Sequence, residues 1–409
     1  MKLVFPETLK TNIFYKTYLP VLLRFAEIRN DNILIIEFYE TEYISPSVIC
    51  DFLSAINIIK KKKPNGEIVL LFGWNISLIS YLNNTDFFLM ADVNRTVSTD
   101  VIDFSISDHQ YSSYSHSSKR KEHTDKTKKI ILPTYCEYNY GDSQELIYHN
   151  EGEDVDKEKE RISQIVQQSF YSLITRKERT ISDLGIEGHY IDDLADAYSE
   201  IVANSYFHGG NNYCFFTFQN YLKTGLSFIS SDTGMGYYNS IGEKIEAKKM
   251  IYSLFSFDIF QSETNKHIKS LLGIVEGILY RYFRKKEEED GIRESKKKAF
   301  ERGIMDIIRI ILGVGNNENA IIRIHSDYAM LQLDAISLRK LFLIDDDIDN
   351  NRLSYEITPN LQTFKDIVTN TRLQKAWLES GHIVFYEYCF PGVHISTYID
   401  HPQKKGEAN

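Results

Sequence analysis

The stretch from Ile191 to Gly236 constrains this chain more than any other. Leu194, Ala197, Tyr198, Ile201, Val202 and Ser205 recur at helical spacing as an inward-facing stripe, while Glu200, Asn204 and His208 fall at i, i+4 and i+8 on a neighbouring face. Three polar groups therefore line one side of a helix that otherwise packs inward. Gly209-Gly210-Asn211-Asn212 ends the helix, and the runs Tyr213 to Phe218 and Leu226 to Ile229, with a turn near Thr224-Gly225, predict a β-hairpin. Its second strand delivers Ser231-Asp232-Thr233-Gly234-Met235-Gly236. A carboxylate and an amide one helical turn apart can share a divalent cation and its waters. An aspartate at a strand end can accept a hydrogen bond from an exocyclic amine, and the glycines beside it carry no side chain to block a flat base. Either motif alone reads equally as a solvated helix face or a plain turn.

Residues 1 to about 104 alternate strand and helix. Ile33 to Phe38 and Glu67 to Phe72 are short β-rich runs, and Pro46 to Lys60 between them carries Val48, Ile49, Phe52, Leu53, Ile56 and Ile59 at helical spacing, which predicts a βαβ unit. Lys60 to Lys63 followed by Pro64-Asn65-Gly66 is a cation-rich helix end and a turn. From Ser105 to Lys129 the composition shifts to Ser, His, Lys and Thr, which predicts a linker or loop. Structure is expected to resume at Ile130-Ile131-Leu132, with a helix from Lys157 to Arg176.

Composition narrows the function classes. Forty-seven Lys plus Arg against 57 Asp plus Glu give a net charge of −10, which argues against a chain-wide grip on nucleic acid or an anionic membrane. No apolar run approaches the roughly 20 residues of a membrane helix, and Met1 to Pro6 lacks a secretory apolar region, so a soluble cytoplasmic protein is expected. Cys50, Cys136, Cys214 and Cys389 form no Cys-x-x-Cys motif and are expected as reduced core residues. The eleven histidines show no transition-metal spacing.

Glu200-Ile-Val-Ala-Asn204-Ser-Tyr-Phe-His208-Gly-Gly resembles the N-box of the GHKL superfamily, which includes gyrase, heat-shock chaperone, histidine kinase and mismatch-repair ATPases. Asp232-Thr-Gly234-Met-Gly236 resembles its first glycine box, in the family order and one hairpin downstream. The resemblance implies ATP and Mg²⁺ as cofactors, with Asn204 on the metal, Asp232 on the adenine amino group, and Gly234 and Gly236 letting the backbone approach the base. It places Glu200 as the catalytic residue that activates water and His208 as a phosphate contact. Arg302-Gly303-Ile304-Met305, with the helix and strand after it, resembles a degenerate second glycine box, and Gly303 is the candidate phosphate cradle. Phe390-Pro391-Gly392-Val393 resembles the closing strand, with valine where the family has threonine.

The implied fold is α/β: a small N-terminal STAS-like α/β domain over 1–104, a linker over 105–129, and a Bergerat-type α/β two-layer sandwich over 130–409. Insertions are expected at about 238–301, the ATP lid, and about 331–380, which contains Asp345-Asp346-Asp347. The lid carries an amphipathic helix, about Lys266 to Lys286, whose stripe of Leu271, Val275, Ile278, Leu279 and Tyr282 would cover a partner, a second copy of the chain or a local core. The N-terminal unit resembles the STAS partners of anti-sigma-factor serine kinases, which makes Ser45 and Ser47 phosphoacceptor candidates; Ser47 reads more simply as a helix cap or first-turn residue. The expected function is slow Mg²⁺-dependent ATP hydrolysis whose nucleotide state regulates an unidentified protein partner, of the kind used in bacterial signalling or defence. The alternatives are a protein serine kinase and a scaffold that binds ATP without cleaving it.

Overall fold

The computed structural model describes residues 1–72, 76–84, 87, 97–98, 155–175, 188–208, 214–221, 225–242, 265–289, 303–313, 319–344, 357–369 and 371–400. The expected linker over 105–129, Ile130 to Leu132, Cys136, Asp345 to Asp347 and most of the expected lid lie outside these residues. The protein is mixed α/β, and its chain divides into two units. Unit one comprises 1–153 with 211–219 and 229–233; unit two holds the remainder.

Unit one is built on a parallel sheet. Strands β1 (Lys2–Val4), β3 (Ile33–Glu37), β5 (Glu67–Leu71) and β6 (Val97–Ser98) stand in that order, each pair parallel. Strands β2 (Thr8–Leu9) and β4 (Tyr43–Ile44) form a second short parallel ladder. Helices α1 (Leu19–Glu27), α2 (Pro46–Lys62) and α3 (Ile76–Asn84) make the crossovers. Because strand order follows chain order and parallel crossovers are right-handed, all three helices belong on one face. Burial agrees: Leu34, Ile36, Ile68 and Leu70 are buried, while Ile35, Val69 and Leu71, which alternate with them, are half-buried and Ile33 is exposed. Rings fill the space beneath the helices, with Phe38 stacked on Phe72 at 4.6 Å and Phe5 edge-on to Phe38 at 4.9 Å. The predicted βαβ unit is present as β3, α2 and β5. The cation-rich end of α2 is followed by buried Lys63, whose ammonium donates to the carbonyls of Ile28 and Asp31 while lying over Phe25.

Unit two opens with two packed helices, α4 (Val155–Thr175) and α5 (Gly188–His208). Phe170 meets Tyr198 edge-on, Ser199 donates to the Ser163 carbonyl, and Gln167 donates to Asp196. Strand β7 (Cys214–Tyr221) and strand β8 (Gly225–Asp232) form the predicted hairpin, after which α6 (Gly236–Gly242) begins. The helix expected at Lys266 runs as α7 (Lys266–Glu289), and α8 (Ile304–Gly313) follows. Strand β9 (Ile321–Asp334) pairs antiparallel with β12 (Ile383–Asp400) from Tyr398↔Ile321 to Ile383↔Leu331, with irregularities at Phe390. The sheet order is β7-β8-β12-β9. Between the two long strands lie α9 (Ala335–Leu341), β10 (Phe342–Ile344), β11 (Ile357–Pro359), α10 (Leu361–Val368) and α11 (Arg372–Glu379). A capping box between Asp334 and Ser337 turns β9 directly into α9.

The α7 stripe is core. Leu271, Val275, Ile278 and Leu279 are buried together with Leu272 and Ile274, and the helix packs on α6 and β9. Four of the five stripe residues thus fill a local core, and Tyr282 is half-buried. Gly273 and Gly277 open a shallow groove along α7: a Cβ on Gly273 would stand 2.5 Å from the backbone nitrogen of Tyr238, and one on Gly277 would stand 2.8 Å from the Tyr237 ring. Among the described residues no helix is long and apolar enough to cross a membrane.

Candidate functional site

Glu200 and Asn204 stand on one side of α5 at the spacing expected. Leu194, Ala197, Tyr198 and Val202 are fully buried, and Tyr198 stacks on Phe228 at 4.2 Å, which fixes the rotation of the helix. That rotation leaves Glu200 and Asn204 half-buried one turn apart. His208 is the last residue of the helix, and its side chain lies outside the described residues.

Gly303 sits opposite this ladder. It immediately precedes α8, and its N–H donates to the Asp306 carboxylate at 3.2 Å, half of a capping box. Arg309, two turns into α8, donates to Asp193 at 2.8 Å and so ties α8 to α5. The outcome is that a Cβ built on Gly303 would meet Glu200 Cγ at 3.9 Å, an ordinary van der Waals distance, with no other described atom within 4 Å. Among the described residues, packing does not demand a glycine at this helix start.

Gly236 behaves differently. Its φ is +71°, and a Cβ there would stand 2.2 Å from Asp327 Oδ2. Asp327 is nearly buried, has its own φ of 54°, and pairs with Phe390 at the irregular point of the β9–β12 ladder. Beside it Ser326 Oγ accepts from the Tyr237 N–H at 3.0 Å and donates to Asp327 at 3.3 Å. The start of α6 is thus clamped by Ser326 and Asp327, and the close approach that requires glycine at 236 is to a carboxylate of the protein. Sequence reasoning missed both residues; their only trace is a polar pair interrupting a β-rich run.

Asp232, with Ser231 and Thr233, belongs to unit one, and Gly234 and Gly236 to unit two. All three polar side chains are buried. Ser231 Oγ hydrogen-bonds Ser54 Oγ of α2 at 2.8 Å, the Ser54 hydroxyl also lies 3.2 Å from the Ser231 carbonyl, and Thr233 Oγ1 donates to Asn57 Oδ1 at 3.2 Å. The pleat turns Asp232 to the face opposite Ser231, away from that contact. The structure therefore places Glu200 beside Gly303, with Asn204 one turn along the same helix, in one unit and describes Asp232 in the other.

Ser45 is the N-cap residue of α2, but its side chain makes no cap bond. Thr11, Ser45 and Ser47 form a triangle of hydroxyls with sides of 2.6, 3.0 and 3.1 Å, and Ser47 stands in the first turn of α2, one of the two places expected for it. Cys50 and Cys214 are buried and unbridged, and burial pushes the Cys50 thiol well above its ordinary value. Cys389 departs from the core expectation: it is half-buried and points its thiol at Asp327. Among the described residues no group of three or more His, Cys, Asp or Glu is placed to hold a metal.

A second polar cluster lies in the β9–β12 ladder. His325 and His394 are cross-strand partners, both buried, with ring centroids 5.3 Å apart. His394 stacks on Phe390 at 3.7 Å, and Tyr386 meets His325 edge-on at 5.2 Å. Burial, and then the neighbouring His394, hold His325 well below the usual imidazole range.

Against this geometry, no protein-family model, no curated protein and no solved structure matches the chain.

Proposed function

We propose that the chain is a Mg²⁺-dependent ATP-binding protein of the GHKL type with slow hydrolysis, whose nucleotide state regulates a protein partner. The observation that carries the reading is the juxtaposition of Glu200 and Asn204, one turn apart on α5, with the open backbone of Gly303 at the head of α8. The donor set suits Mg²⁺, which keeps most of its waters and takes few protein oxygens. Asn204 would hold it, and when bound it would screen the charge of the phosphates. Gly303, whose own N–H is held by Asp306, keeps the head of α8 clear of a side chain so that phosphate oxygens can approach the helix N-terminus, with His208 as a further contact. Glu200, half-buried and close to that turn, orients a water and takes its proton. Asp232 accepts from the adenine amino group, and Gly234 keeps the approach clear. Gly236 is withdrawn from base contact, because its clearance is used by Asp327. The finer likeness of the two units to STAS and Bergerat folds belongs to this proposal, supported by the parallel βαβ order in unit one and the mixed α/β build of unit two.

Calorimetry with ATP and Mg²⁺ tests the reading. Asp232→Asn should lose ATP binding, and Glu200→Ala should keep binding and lose phosphate release. Equal ATP affinity in the wild type and Asp232→Asn would overturn it, and tight binding with no phosphate release on prolonged incubation would replace the ATPase by a scaffold.

A further inference from the structure

We infer that helix α2 reports the occupancy of the Asp232 site to the rest of unit one; this rests on the ATP-binding reading above. The helix is buried on every side from Pro46 to Ile59. Its apolar positions serve the sheet and the phenylalanine cluster, but Asp51, Ser54 and Asn57 are no more than 3% exposed and need polar partners. Two of these partners flank Asp232: Ser231 is held by Ser54, and Thr233 by Asn57. Three residues of helix advance about 4.5 Å and two of strand about 6.6 Å, so the two bonds fasten helix and strand end at separate points and leave little freedom to slide or pivot. Because buried polar groups cannot fall back on water when a bond is broken, a shift of the backbone around Asp232 either carries α2 with it or breaks both bonds. Base binding on one face of residues 231–233 is thereby felt on the other. The helix then delivers the change to its own N-terminus, where Thr11 gathers Ser45 and Ser47. Coupling of this kind is reciprocal: whatever holds α2 changes ATP affinity by the same factor.

Amide exchange on the full chain, with and without Mg²⁺ and a slowly hydrolysed ATP analogue, tests the inference alongside calorimetry with the same analogue. Occupancy should slow exchange in residues 49–59 by about fivefold or more. The double variant Ser54→Ala with Thr233→Val should bind the analogue within about threefold of wild type and lose the response in α2, whereas Thr233→Ser, which keeps a hydroxyl, should retain it. Wild type that binds with exchange over 49–59 unchanged overturns the relay and leaves the ATP reading standing. Wild type that binds no analogue overturns the reading and the relay with it. Should the double variant unfold, Thr233→Val alone with a full wild-type response would also overturn the relay.

Discussion

Gly236 shows how a motif position can be right about its residue and wrong about its reason. In sequence it is the second glycine of a box kept clear for a base; in the fold a left-handed φ and the Asp327 carboxylate already require it. No local pattern signals this, because Asp327 arrives from a distant strand at a ladder irregularity. Placing a side chain at a left-handed position costs roughly 1–2 kcal/mol, and forcing one into packed space roughly 1–3 kcal/mol. Gly236→Ala should therefore lose about 2–5 kcal/mol in urea unfolding, and adding Asp327→Gly should restore part of it; a loss below about 0.5 kcal/mol would remove the clamp. His325 makes a second prediction at this scale. Its folded form stays neutral well below the ordinary range, while the unfolded chain protonates near pH 6.5. As pH falls below about 6.5 the unfolded state takes up the proton first, so stability drops with acid and is flat above. His325→Phe, which keeps the stack on Phe390, should flatten the stability profile between about pH 6.5 and 5; an unchanged slope there would exclude His325 as its source.

Single elements were largely legible, and their partners were not. Periodicity places α2, α5, α7 and the β3 and β5 runs within a few residues, because one buried face writes a repeat into local sequence. Strand β9 passes through the Asp327 irregularity and continues to Asp334, so part of the expected second insertion is sheet. The α7 stripe was equally visible, but an apolar face does not say whether it meets a partner or a core. The glycines answer that question. At Gly273 the obstacle to a side chain is the Tyr238 backbone, which cannot rotate away, while at Gly277 it is the Tyr237 ring, which can. Gly273→Ala should cost about 1–3 kcal/mol and Gly277→Ala clearly less, measured as shifts in the thermal midpoint of the full chain; the reverse order would mean that α6 does not rest on α7 as described.

For the whole molecule, the sequence suggests a boundary near residue 104, and the chain instead returns to the N-terminal unit twice, with 211–219 and 229–233. Composition marks the low-complexity stretch that invites a cut, but it carries no record of which strand a buried helix will need later. Helix α2 makes the dependence physical. With Cys50, Ser54 and Asn57 each at most 1% exposed, a chain ending at 104 would bare a helix side that has both apolar and polar groups to satisfy. Water would solvate Ser54 and Asn57 adequately, but not the apolar atoms among them, and the sheet's other face is already half open at Ile35, Val69 and Leu71. A fragment of residues 1–104 should therefore keep helical far-ultraviolet signal, bind a hydrophobic dye, and unfold without a sharp transition, while the full chain unfolds cooperatively. Ser231→Ala in the full chain should weaken the same unit by about 0.5–1.5 kcal/mol, because the Ser54 hydroxyl loses one of its two hydrogen bonds and keeps the one to the Ser231 carbonyl. A sharp sigmoidal melt of the 1–104 fragment, with fixed aromatic signals in the near ultraviolet, would show that the returning segments are not needed to complete its core.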